Sequence, residues 1–147
     1  MWWLRSFSIQ IVKNGEQYPS IHISPEKYDV IKYVFRRKYC HSETVIELIQ
    51  KIKCLTNDTI KLEAEDKCEL KIKPDITYVS GFFDDFEPFE VPTSEILTLV
   101  EEWYEFLKEY EEGKIPGIIP KNKEGELFIV PKEYIKDEFW QAGKSNI

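Results

Sequence analysis

Between Ile96 and Tyr110 the apolar side chains Ile96, Leu99, Val100, Trp103, Phe106, Leu107 and Tyr110 recur at helical spacing and fall on one face. A stripe that wide has to leave water, so this segment must be a helix packed against other structure. Pro92-Thr93-Ser94-Glu95 supplies its start and Gly113 its end.

The rest of the chain offers strands to pack it against. Phe7, Ile9 and Ile11 alternate with Ser6, Ser8 and Gln10, and Asn14-Gly15 tolerates the positive φ of a tight turn, so Trp2–Val12 and Tyr18–Ile23 are expected to form a hairpin. Ile60, Leu62 and Ala64 alternate with Lys61, Glu63 and Glu65. Asp66-Lys67 then turns the chain into Leu70 and Ile72, and Ile76–Val79 adds a third strand after Pro74. Two further helices are expected. One starts at Ser24-Pro25-Glu26, with Ser24 as cap and Pro25 in the first helical position, and carries Tyr28, Ile31, Val34 or Phe35, and Tyr39. The other starts at Ser42-Glu43 and carries Val45, Leu48, Ile49 and Ile52, ending near Cys54. The tail holds an apolar run at Leu127–Val130 and a last turn at Lys132–Trp140. The fold class read from this pattern is α+β: an antiparallel sheet built from hairpins, packed against two or three helices. At 147 residues, with no spacer segment, one domain over 1–147 is expected.

Several function classes are disfavoured. No apolar run approaches the roughly 18 residues that span a bilayer, and the N-terminus lacks a signal-peptide layout, so a cytoplasmic protein without membrane contact is expected. Cys40, Cys54 and Cys68 are odd in number and lie 14 residues apart, which suits neither a disulfide framework nor a zinc site. A net charge of −7 argues against direct nucleic-acid binding. Phosphate-cradle, metalloprotease, EF-hand and nucleophile-elbow motifs are missing. His22 and His41 have no catalytic partner at a meaningful spacing, and Arg36-Arg37-Lys38 suits a helix C-terminus. No cofactor, metal or catalytic residue is assigned, and the chain is not read as an enzyme. Trp2-Trp3 suits core or interface equally, and nothing in the sequence supports a homo-oligomer.

The charge is concentrated. Residues 84–112 hold eleven of the 27 carboxylates and one of the 20 bases, Lys108, for a net of −10; with −7 for the whole chain, the remainder is +3. Within Gly81–Glu90 four phenylalanines interleave with four acids, which fits either a partner-binding surface or an edge strand with rings in and acids out. On the helix that follows, Glu95, Glu102, Glu105, Glu109 and Glu112 share the face opposite the apolar stripe. Like charges at i,i+4 oppose helix formation, and Glu109, Glu111 and Glu112 lie at the end where the dipole disfavours them. A basic protein partner would account for both. The candidate partner-binding residues are Phe83, Asp84, Asp85, Phe86, Glu87, Phe89, Glu102, Glu105 and Glu109.

The run Phe86-Glu87-Pro88-Phe89-Glu90-Val91-Pro92-Thr93-Ser94-Glu95-Ile96-Leu97, with Glu101-Glu102-Trp103-Tyr104-Glu105-Phe106-Leu107, resembles the small acidic immunity proteins of bacterial contact-dependent and polymorphic toxin systems. The resemblance implies an inhibitor that occludes the basic cleft of a cognate toxin domain, a nuclease in the first instance, with carboxylates meeting Lys and Arg around an apolar centre. Two other readings stay open. One is a small ligand-binding domain or enzyme with a carboxylate-containing aromatic pocket, and the other an adaptor for a basic protein that is not a toxin.

Overall fold

In the computed structural model, which describes residues 3–11, 17–83 and 85–112, the chain is α+β. Strands β1 (Leu4–Ile11) and β2 (Gln17–Ser24) form an antiparallel pair. A 3-10 segment (Glu26–Ile31) leads into α1 (Lys32–Lys38), followed by α2 (Ser42–Lys53). Strands β3 (Ile60–Ala64), β4 (Cys68–Ile72), β5 (Ile76–Ser80) and β6 (Phe89–Pro92) make an antiparallel meander in that spatial order, and α3 (Thr93–Glu111) completes the described fold. The turn expected at Asn14-Gly15 and the tail from Gly113 onward, including 127–130 and 132–140, lie outside the described residues, as do Trp2 and Asp84.

Period-two patterning produces the strands. Phe7 pairs with Ile21 and Arg5 with Ile23, which sets Arg5, Phe7, Ile21 and Ile23 on the buried face of the hairpin. In the meander Leu62, Ala64, Cys68, Leu70, Ile72, Thr77, Val79 and Val91 point inward, whereas Lys61, Lys71, Tyr78 and Glu90 point out. Asp66 adopts φ 65 in the β3–β4 turn, a left-handed conformation that short polar side chains tolerate. Strand β6, at the edge of the sheet, begins within the Gly81–Glu90 segment for which an edge strand is one of two readings, and it pairs Thr77 with Val91 and Tyr78 with Glu90. It runs directly into α3. That junction is tied down by the Thr77 hydroxyl, 3.0 Å from that of Thr93, which donates to the Lys73 carbonyl at 2.6 Å.

The helix expected from Ser24-Pro25-Glu26 begins differently. Ser24 ends β2, Pro25 precedes the helical turns, no side chain caps them, and α-geometry starts only at Lys32. A residue before proline is held extended. The local anchor is Asp29, whose carboxylate accepts the Ile23 N–H at 2.7 Å and the Lys32 ammonium at 2.5 Å. The register of α2 is as expected, with Val45, Leu48, Ile49 and Ile52 buried and Cys54 at its C-terminal end.

Helix α3 is the centre of the packing. It contacts β1, β2, β5, β6 and α2, and Ile96, Leu99, Val100, Trp103, Phe106 and Leu107 are buried. Trp103 is fully buried; its ring stacks on Phe7 and Phe106, each at 6.1 Å, and its Nε1–H donates to the Tyr39 carbonyl at 2.7 Å. Replacing Trp103 with Phe removes that donor and leaves a hole, so we expect a loss of about 2–4 kcal/mol in urea unfolding with an unchanged m-value.

Cys68 is buried on β4, its Sγ 3.4 Å from the Val30 carbonyl, and burial pushes its thiol up to about 12. The folded protein should therefore leave Cys68 unmodified by a disulfide reagent at pH 8 while exposed Cys54 reacts, with Cys68 reacting after denaturation. Mass mapping of the labelled peptides decides it.

Candidate functional site

The connection from β5 to β6 is anchored by aromatic rings. Phe86 lies over Gly81, where an added Cβ would stand 3.1 Å from the ring, and Phe86 packs on Phe89 at 6.0 Å. Phe89 meets Tyr28 edge-on at 5.3 Å, and Tyr28 meets buried Trp3 at 5.8 Å. This ladder runs from the connection into the core. Trp3 is thereby a core residue.

Held by those anchors, the connection carries Phe82 at 41% and Phe83 at 71% exposure, with Tyr78 of β5 at 42%. These are the exposed large apolar side chains among the described residues. Asp85, Glu87 and Glu90 are exposed alongside them in sequence, and with Glu95 they have no hydrogen-bond or ion-pair partner among the described residues. No Lys, Arg or His occurs between Lys73 and Lys108.

The structure therefore divides the residues singled out from sequence. Phe83, Asp85 and Glu87 face solvent, whereas Phe86 and Phe89 are half-buried and turned to the core, so they serve as anchors of the connection instead of free contact groups. Glu105 is exposed and Glu109 half-buried, and both engage partners within the chain. Glu102 is not available to a partner at all: it is bound to Arg5.

That pair has a local cause. Arg5 is in phase with Trp3, Phe7 and Ile9, which puts a cation on the inner face of β1. Its Nε donates to Glu102 Oε1 at 2.6 Å and its Nη2 to Oε2 at 2.9 Å, a bidentate pair with side chains 7% and 16% exposed. Arg5 was missed at sequence level, although its place in the two-residue period was a usable signal.

Other acids of α3 are matched as well. Glu101 pairs with Lys53 at 3.2 Å and Glu112 with Lys108 at 3.7 Å. Glu111 accepts the Ser42 N–H at 2.8 Å and the Ser42 hydroxyl at 2.5 Å. Its carboxylate thus sits at the N-terminus of α2, where the dipole favours negative charge, which corrects the expectation that its place on α3 is only unfavourable.

A concavity of about 510 Å³ lies between β2, α1, the α1–α2 link and the end of α3. Tyr18, Tyr33, Arg36, His41, Tyr110 and Glu111 are among its lining residues. No group of three or more His, Cys, Asp or Glu is placed to hold a metal ion, and no helix is long and apolar enough to cross a membrane, among the described residues. Comparison of the chain with models of known families, with curated proteins and with solved structures returns no match.

The Arg5–Glu102 pair sets a stability test. Glu102→Gln removes the charge that balances a buried guanidinium and should cost about 3–5 kcal/mol in denaturant unfolding, whereas Arg5→Met combined with Glu102→Leu should be close to neutral. A loss below 1 kcal/mol for the single change would mean that the pair is solvated.

Proposed function

We propose that this chain is a cytoplasmic binding protein of the immunity type, which masks a basic surface on a cognate toxin domain by means of its β5–β6 connection. The observation that carries the reading is the pairing of two exposed phenylalanines, 41% and 71% open to solvent, with neighbouring carboxylates that no base of the described chain neutralises. Exposed rings on an anchored loop lose little conformational freedom on docking, and aromatic side chains are typical anchors at protein interfaces. Asp85, Glu87, Glu90 and Glu95 provide the negative field that speeds encounter with a basic partner. Phe82 and Phe83 form the apolar centre of the proposed contact. Glu102 belongs to the fold and is excluded from the surface. No step of the reading uses a catalytic group or cofactor.

A toxin domain encoded beside this chain is the partner to test, by co-purification followed by kinetics at two salt concentrations. Asp85→Lys with Glu87→Lys should slow association about tenfold or more at low salt, with a smaller effect at high salt. Phe83→Ser should weaken the complex by about 2 kcal/mol, chiefly through faster dissociation. Wild-type affinity in both folded variants would refute the surface.

A further inference from the structure

The concavity beside α1 has a chemistry of its own and shares no residue with the β5–β6 connection. Arg36 projects from α1 with its guanidinium 5.4 Å from the Tyr18 ring centre and 5.7 Å from that of Tyr33, and its Nη2 donates to Tyr18 Oη at 3.1 Å. Two aromatic rings therefore hold the cation in place, by contacts that leave most of its five N–H donors unused. Among the described residues no carboxylate lies within ion-pair distance of it. The carboxylate that does line the concavity, Glu111, spends both oxygens on Ser42. Tyr110 adds a third phenol ring and His41 a second nitrogen base, and the volume of about 510 Å³ is that of a small-molecule site.

We infer that this concavity binds a small planar organic anion, with its ring against the tyrosines and its carboxylate or phosphate on Arg36. An arginine pre-positioned by stacking matches an oxyanion with two parallel N–H donors, which a lysine does not reproduce. The rings contribute the apolar contact that separates such a ligand from an inorganic anion. A flat carboxylic acid and a nucleoside monophosphate share this chemistry, so both serve as probes.

The test is calorimetric titration of the full chain with 4-hydroxybenzoate and with UMP, beside phenol and uridine, which lack the anion. One of the two anions should bind at micromolar to low-millimolar concentration while its uncharged counterpart binds at least tenfold more weakly. Arg36→Gln and Arg36→Lys should each weaken the binding anion about tenfold, and Tyr33→Leu should do so with Arg36 intact, all with thermal melts near that of the wild type. UMP alone binding would assign a phosphate ligand, and 4-hydroxybenzoate alone a carboxylate. Failure of both anions to bind, or unchanged binding in folded Arg36→Gln, would overturn the site without touching the proposal for the β5–β6 connection.

Discussion

Burial of the apolar face of α3 is the constraint from which the rest of the structure follows. Trp103 has to be enclosed on all sides and its indole N–H needs an acceptor, and the fold meets both demands by stacking Phe7 and Phe106 on the ring and bringing the Tyr39 carbonyl to the nitrogen. One helix thereby fixes the hairpin, the end of α1 and the meander relative to each other. The flanks of α3 are then set as well. Glu101, Glu102 and Glu111 project at defined heights toward Lys53, Arg5 and Ser42, and the pairing of Glu111 with the start of α2 and Glu101 with its end makes the two helices antiparallel.

This arrangement changes what the negative charge of the chain means. A Glu-rich helix face looks like a surface held in reserve for a basic partner, but several of its carboxylates are occupied in holding the fold together. Among the described residues, the charge of this region left without partners lies before and at the start of α3, in Asp85, Glu87, Glu90 and Glu95, near in sequence to the rings that the core does not enclose. Steering at a distance still draws on the summed charge of the whole region, whereas contact depends on groups that can give up their water to a partner. The same logic runs with opposite sign at Arg36, a cation seated among tyrosines with no carboxylate within ion-pair distance among the described residues.

The α+β class, both sheet segments, the inward residues of α2 and α3 and the β3–β4 turn were legible in the sequence, because each reflects a backbone period or a turn preference acting over a few residues. One local reading failed for a local reason: Ser24 is held in β2 by its position before Pro25. The edge strand left open at Gly81–Glu90 forms only at the end of that segment, where β6 is Phe89–Pro92.

The sequence by itself determined which faces would be apolar and that the negative charge would gather between residues 84 and 112. Only the tertiary structure decided which carboxylates are structural and which phenylalanines are exposed. Arg5 and Glu102 are 97 positions apart and Ser42 and Glu111 are 69 apart, so no local pattern announces either contact. Phe83 and Phe86 differ by three positions in an irregular segment, where direction is set by what each ring meets: solvent for Phe83, and for Phe86 the bare Cα of Gly81 and the ring of Phe89.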